Sequence, residues 1–209
     1  MYKKMDENTL TKILESGIRC FGECGLDRAN INTIASSAGV SVGVIYKYFS
    51  SKENFFLECV RYSLKPLDDM LASVPMEHLS PREMIYRVIT SLQDHAREHA
   101  FVNVMYNEIT SGSCRKYASV LASEIEAKSA RIYKSIIENA DEIKENNTHP
   151  EFLAFFFDNL LMMLQFSYSC DYYRERMKLF IGENADDDAI ANAMTDFIYR
   201  GMFGGALDA

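Results

Sequence analysis

The sequence predicts an all-α fold, and three observations carry that expectation. Only 10 Gly and 4 Pro occur in 209 residues, sparse for a chain built on tight turns. Apolar residues recur at the helical spacing i, i+3, i+4, i+7 in one segment after another. Apolar residues make up 48% and charged residues 25%, a globular balance rather than a disordered one. The length suits one large domain or two small ones sharing a core.

Leu10, Ile13, Leu14, Gly17, Ile18 and Phe21 form one apolar face, with Lys12, Glu15, Arg19 and Glu23 on the others. The first helix therefore covers residues 7–24, and Gly25 is its left-handed stop. Asn30 can cap a short helix carrying Ile31, Ile34, Ala35 and Ala38, closed by Gly39. Ser41 can cap a second short helix holding Ile45 and Phe49. A third starts near Ser51, carries Phe55, Phe56, Cys59 and Val60, and either ends near Pro66 or bends there and continues to Leu71. Ser80-Pro81 with Glu83 marks the next start, and Met84, Ile85, Val88, Ile89 and Leu92 supply its apolar face. A break over 98–101 leads to a short helix over 104–109. Ser111-Gly112-Ser113 is a loop, followed by an amphipathic helix over 115–143 using Leu121, Ile125, Ile132, Ile136 and Ile137. Residues 144–150 connect to an apolar helix over 151–180. Asp186-Asp187-Asp188 can cap a last helix through Ile190, Met194, Phe197, Ile198 and Met202, ended by Gly204-Gly205.

Composition excludes several classes. Cys20, Cys24, Cys59, Cys114 and Cys170 are odd in number, form no CxxC pair and lie far in sequence from His78, His95, His99 and His149, so no zinc-type spacing exists. Cys20 and Cys24 share a helix face and read as small buried side chains. The N-terminal residues have no apolar signal region, and a cytoplasmic, reducing location follows as the default. The apolar stretch 152–170 approaches membrane-span length. Asp158, Asn159 and Gln165 interrupt it, so it reads as a long buried helix. No nucleophile–base pairing, Gly-rich phosphate loop or metal-ligand cluster is visible, so neither an enzyme nor a cofactor is expected.

The most informative stretch runs from Gly25 to Glu53. Two short helices joined at Gly39 have the geometry of a helix-turn-helix: Ala35 is small where the helices cross, Gly39 takes the positive φ of the turn, and Val40 and Ile45 plug the core beneath. One helix can lie across a DNA backbone while the other enters the major groove. Tyr46, Lys47 and Tyr48 can reach phosphate oxygens, as can the backbone N–H groups around Ser41, Val42 and Gly43. Gly43 permits close approach, Val44 offers methyls to a thymine, and Lys47 offers a donor to guanine. Asn32 and Thr33 complete the predicted contact set. Lys52 is unfavourable in the first turn of its helix, which points to a phosphate partner.

The run Ile34-Ala35…Ala38-Gly39-Val40-Ser41-Val42-Gly43-Val44-Ile45-Tyr46-Lys47-Tyr48-Phe49…Ser51-Lys52-Glu53 resembles the DNA-binding head of TetR-family transcriptional regulators. The resemblance covers about the first quarter of the chain. It implies an N-terminal three-helix helix-turn-helix DNA-binding domain (1–50) and a C-terminal helical ligand-binding and dimerisation domain (51–209), about nine helices in all. It also implies a repressor that binds a double-stranded DNA operator as a homodimer and is released by a small-molecule effector. Three positions depart from the family's habit: Ala29 stands where Thr is frequent, Val42 where a polar or basic residue is, and Val44 where Thr or Ser is. They shift base reading toward apolar contacts.

In the body, the helix over 151–180 is apolar almost all round and must be buried on more than one side. One side can face the core and the other a second subunit, with Phe156, Met163, Ile190, Met194 and Phe197 at the seam. Past residue 65 lie 8 of 12 Tyr, 9 of 13 Phe and 9 of 11 Met, side chains that suit adaptable apolar pockets. Candidates for a pocket lining are Tyr86, Met105, Tyr106, Phe166 and Tyr168, with His95, His99 or Glu108 as polar anchors. The net charge of −8 divides unevenly: residues 1–65 hold 9 Lys/Arg against 7 Asp/Glu, and residues 66–209 hold 13 against 23. A mildly basic head on an acidic body is the expected division of labour.

Overall fold

The computed structural model describes residues 5–73, 79–126, 130 and 149–203. In chain order these form α1 (Glu7–Arg28), α2 (Ile31–Ala38), α3 (Val42–Phe49), α4 (Lys52–Ser73), α5 (Pro81–Glu98) and α6 (Ala100–Ile109). A 3₁₀ turn (Gly112–Tyr117) and helical residues 118–126 follow, then α7 (Pro150–Ser169), α8 (Asp171–Ile181) and α9 (Asp187–Phe203). The described residues contain no strand, as the sequence predicts. Most of the predicted helix over 115–143, with Ile132, Ile136 and Ile137, lies outside the described residues, as does the Gly204-Gly205 stop.

Two compact units are present: Met1–Lys65 with Phe101–Ser123, and Pro66–Ala100 with Glu124–Ala209. In the first, Asp6 caps α1 by accepting the Thr9 N–H at 2.9 Å. The core gathers Ile13, Ile18 and Phe21 of α1, Ile34 and Ala35 of α2, Ile45 and Phe49 of α3, and Phe55 and Phe56 of α4. The rings interlock: Phe21 meets Phe55 at 5.6 Å and Phe56 at 5.2 Å between centroids, and Phe49 meets Phe55 at 4.7 Å. Such offset and edge contacts suit aromatic quadrupoles.

The second unit packs α5 against both α7 and α9, and α7 against α8. Its core includes Ile85, Val88, Ile89, Leu92, Phe157, Leu161, Ala191 and Ile198. The predicted start of α5 is a capping box: Ser80 Oγ accepts the Glu83 N–H, and the Glu83 carboxylate accepts the Ser80 N–H at 2.9 Å. That arrangement satisfies two groups a helix start otherwise leaves orphaned. The Ser80 hydroxyl, which donates to the same carboxylate at 2.7 Å, and the Ser80 N–H hold it below the usual carboxylate range.

Three expectations change and one open alternative, at Pro66, is resolved. The first helix does not end at Gly25 but breaks there and resumes for one turn to Arg28, because Gly25 adopts φ 77, ψ 162 rather than a helix-ending left-handed cap. Residues Gly112–Tyr117 are a 3₁₀ turn instead of a loop running into a helix at 115, and α-helix begins at 118. Pro66 sits inside α4, which continues to Ser73. The helix expected over 151–180 is two helices broken at Cys170, whose backbone is extended at φ −114, ψ 126. Ser167 and Ser169 bond back to the carbonyls of Met163 and Gln165, a pattern that bends helices. Asp171 then opens α8 with the charge a helix N-terminus favours.

Gly25 occupies a backbone region that is essentially closed to residues with a Cβ. Gly25→Ala is therefore expected to destabilise the chain by about 2 kcal/mol, read as a lowered Tm in thermal unfolding by circular dichroism.

Candidate nucleic-acid interface

The turn between α2 and α3 is built from its own backbone. Gly39 is left-handed at φ 71, ψ 30. Its N–H donates to the carbonyl of Ser36, and the Val40 N–H reaches back to Ala35 at 3.0 Å. This is a Schellman closure, which satisfies the last carbonyls of α2. At the other end, Asn30 Oδ1 accepts the Asn32 N–H at 2.8 Å. The capping acceptor that Ala29 lacks is thus supplied one residue later by the Asn30 amide oxygen. Ser41 stands at the N-cap of α3 but makes no side-chain cap bond.

Ile45 and Phe49 point α3 inward, at 0% and 8% exposure, while Tyr46 and Tyr48 stand out at 43% and 40%. Lys47 is exposed between them, its Nζ 5.7 Å from the Tyr48 ring centre. Asn32, Thr33, Ser41 and Gly43 are also exposed, and Val42 and Val44 half-buried. Ten predicted contact residues thus fall on α2, the turn, α3 and the start of α4; seven of them are exposed, and Val42, Val44 and Lys52 are half-buried. Lys52 is also engaged, its Nζ donating to the carbonyl of Asp27 at 3.0 Å. An ammonium carries three donors, so that bond leaves Lys52 able to serve a phosphate as well.

One group of residues the sequence reading did not connect sets the approach to this surface. At the break at Gly25, side chains bond the carbonyl of Cys24 and the N–H of Leu26. Arg28 Nε donates to the former at 3.0 Å, and the carboxylate of Glu108 accepts the latter at 2.7 Å. Gly25 was the available signal, but nothing in the local sequence points to a partner 82 residues away.

The predicted pocket residues divide. Met105 (1% exposed), Tyr106 and Glu108 belong to the first compact unit, whereas Tyr86, His95, His99, Phe166 and Tyr168 belong to the second. Tyr86 donates to Asp188, and Tyr168 donates to Asp187 Oδ1 at 3.0 Å. Gln93 donates to Tyr168 Oη at 2.8 Å and to the carbonyl of Asp187 at 3.1 Å. Arg97 pairs with Asp187 and lies over the Tyr168 ring. Burial and the bond to Asp187 push the Tyr168 phenol up to about 12. Phe166 is buried and stacks on Tyr173 at 5.4 Å. His95 is 6% exposed, its ring 4.7 Å from that of His99, and its Nε2 has no hydrogen-bond partner. Of the predicted seam, Phe156 and Phe197 are exposed at 58% and 69%, and Met163, Ile190 and Met194 are half-buried. Among the described residues no helix is long and apolar enough to cross a membrane, and no group of His, Cys, Asp or Glu could hold a metal ion.

A short helix laid before an outward-facing second helix, with a left-handed glycine between, defines a helix-turn-helix DNA-binding head. Residues 13–59 match the family described as bacterial regulatory proteins, tetR family. Over those residues the chain is similar to TetR-family transcriptional regulators. It is 36% identical over 61 residues to the HTH-type transcriptional repressor AcnR of Corynebacterium diphtheriae, covering 29% of this chain and 32% of that one. It is 26% identical over 111 residues to the HTH-type transcriptional regulator AcrR of Shigella flexneri, covering 51% and 52%. The chain thus spans about a third to a half of the length of these curated relatives. The fold is shared across nearly the whole length with a TetR-like transcriptional regulator from Rhodococcus sp. RHA1 (TM-score 0.67, 20% identity, 97% of this chain and 100% of that one). It is shared also with FadR of Bacillus subtilis, solved in complex with stearoyl-CoA (TM-score 0.67, 16% identity, 92% and 98%).

Burial, aided by the charge of His99, pulls His95 down from 6.5 to about 4. The unfolded chain then binds a proton that the folded chain refuses, so stability falls as pH drops from about 6.5 to about 4. Asp158 acts oppositely: burial and the charge of Glu126 raise it to about 6, so its folded form gains over the same interval. The difference between wild type and His95→Gln isolates the histidine. The substitution is expected to remove a pH-dependent loss of about 2 kcal/mol, measured by urea unfolding at pH 7 and pH 4.5.

Proposed function

We propose that this chain is a transcriptional repressor that binds a palindromic operator as a homodimer and is released by a small-molecule effector. The carrying observation is the orientation of α3: Ile45 and Phe49 lock it to the core while Tyr46, Lys47 and Tyr48 face outward. Residues 1–50 serve as the reading head. Ser41, Val42, Gly43 and Val44 approach the duplex at the start of α3, with Asn32, Thr33 and Lys52 on the flanking backbone. Residues 51–209 serve as the body, in which Tyr86, His95, His99, Phe166 and Tyr168 are the pocket candidates. The shared fold with a regulator solved with stearoyl-CoA supports a body able to hold a small molecule. A cytoplasmic location and a role without catalysis fit a DNA-bound regulator.

Dimerisation rests on α7 and α9. Phe156 and Phe197 are large apolar side chains left exposed on helices whose other faces fill the core, and exposed apolar patches mark interaction surfaces. A dimer would place two recognition helices ~34–36 Å apart, one helical turn of DNA.

Lys47→Ala combined with Tyr46→Ala is expected to weaken binding to the DNA next to the chain's own gene by roughly a hundredfold while leaving the circular dichroism unchanged. Lys47→Ala alone should reduce the salt slope by about one per subunit. Wild-type affinity in the double variant, measured by fluorescence anisotropy, would remove α3 from the interface. Phe156→Asp with Phe197→Asp is expected to give a folded monomer in sedimentation. A dimer of unchanged strength would place the seam elsewhere.

A further inference from the structure

Glu108 reaches the head from far along the chain. Its Oε1 accepts the Leu26 N–H at 2.7 Å and the Ser113 hydroxyl at 2.7 Å, with Cys114 Sγ at 3.9 Å. The approach of α6 to α1 is close. A Cβ on Gly22 would sit 2.5 Å from Val104 Cγ1, and one on Gly25 would sit 3.2 Å from Glu108 Oε2. Val104 and Glu108 are one turn apart and share a face of α6. That face is fitted against two glycines three residues apart on α1.

The turn held by Glu108 leads directly into the reading surface. The Ala29 N–H closes it on the carbonyl of Gly25 at 3.0 Å, and the carbonyl of Asp27 within it accepts Lys52 at 3.0 Å. Asn30 follows at once as the cap of α2. α2 in turn carries α3 through the Gly39 closure. A carboxylate on α6 therefore fixes where α2 leaves α1.

We propose that Glu108 is a positioning residue for DNA recognition: without touching DNA, it sets the α1–α2 junction and through it the presentation of α3. The inference rests on the DNA-binding reading above and assigns Glu108 to the head instead of an effector pocket.

The test uses the full-length chain as wild type, Glu108→Ala and Glu108→Gln. The probe is the duplex that the wild type enriches from a random-sequence pool, assayed at a temperature where all three are fully folded by circular dichroism. Amide exchange at Leu26 is followed in parallel. Glu108→Gln keeps an oxygen that can accept the Leu26 N–H, whereas Glu108→Ala does not. The expected result is that Glu108→Ala speeds Leu26 exchange and weakens duplex binding, each by roughly tenfold or more, while Glu108→Gln stays within about threefold of wild type in both. A role in stability alone would leave folded Glu108→Ala with wild-type affinity, and that result overturns the proposal, as does Leu26 exchange that ignores the loss of the carboxylate. If the wild type enriches no duplex at all, the DNA-binding reading itself falls. The exchange at Leu26 then still decides whether Glu108 holds the turn.

Discussion

A helix that stops hydrogen-bonding in mid-course leaves orphan groups, and at Gly25 of α1 those orphans govern how the head is assembled. Leu26 is 4% exposed, so water cannot serve its N–H, and leaving such a donor unpaired costs about 1–3 kcal/mol. Glu108 removes that penalty with a charge-assisted bond, the stronger kind. Arg28 and Lys52 add exposed bonds to the carbonyls of Cys24 and Asp27. Three side chains from α1, α4 and α6 thus converge on one backbone irregularity. The bend they secure turns the chain out of α1 into α2, and so the position of the helix-turn-helix follows from it.

The two helices of that motif could not stand alone. Each has eight residues, below the length at which isolated helices persist in water. Burial sustains them: Ile34, Ala35, Ile45 and Phe49 are nearly or fully enclosed, and a buried Ile or Phe contributes about 1.5–3 kcal/mol. Phe49 bears on Phe55 and Phe55 on Phe21, so α3 is tied through rings to α4 and α1. With its inner face committed in this way, α3 has only its outer face for recognition. The second unit solves its own problem differently. There Gln93, Tyr168, Arg97 and Asp187 interlock at the start of α9, and a satisfied polar network fixes helix placement where apolar contacts alone would allow sliding.

Local signals made the head legible. Asn30, Gly39 and the Ser80–Glu83 box act within a few residues of themselves, and those caps fall where the residues predict, while Ser41 takes the N-cap position without a side-chain bond. The faces of α1, α3 and α5 follow from apolar spacing alone. Interactions that span the chain were not legible. Gly25 was identifiable as a break, but its continuation depends on Glu108, whose partner no local pattern reveals. The same limit applies to Lys52: its position in a helix's first turn suggested an anion, and the structure supplies the Asp27 carbonyl. The break at Cys170 was hidden because no Gly or Pro marks it, and periodicity cannot register a single extended residue. The pocket candidates were chosen by residue type, which carries no information on which unit a side chain joins. For that reason Met105, Tyr106 and Glu108 belong to a different unit from Tyr168.

α7 shows how one helix can meet two demands. Leu153, Ala154, Phe157, Leu161 and Leu164 line the face turned into the core. Phe152, Phe155 and Phe156 lie on another face at 59%, 62% and 58% exposure. Three phenylalanines left to water on one turn work against folding as a lone chain, since burying each would stabilise by about 1.5–3 kcal/mol. In the proposed dimer a second copy of the same face would relieve that cost, because a twofold pairing matches each patch with itself. The charge distribution is compatible with that arrangement. The acidic excess lies beyond residue 65, where it opposes contact with a phosphate backbone, whereas residues 1–65 are mildly basic.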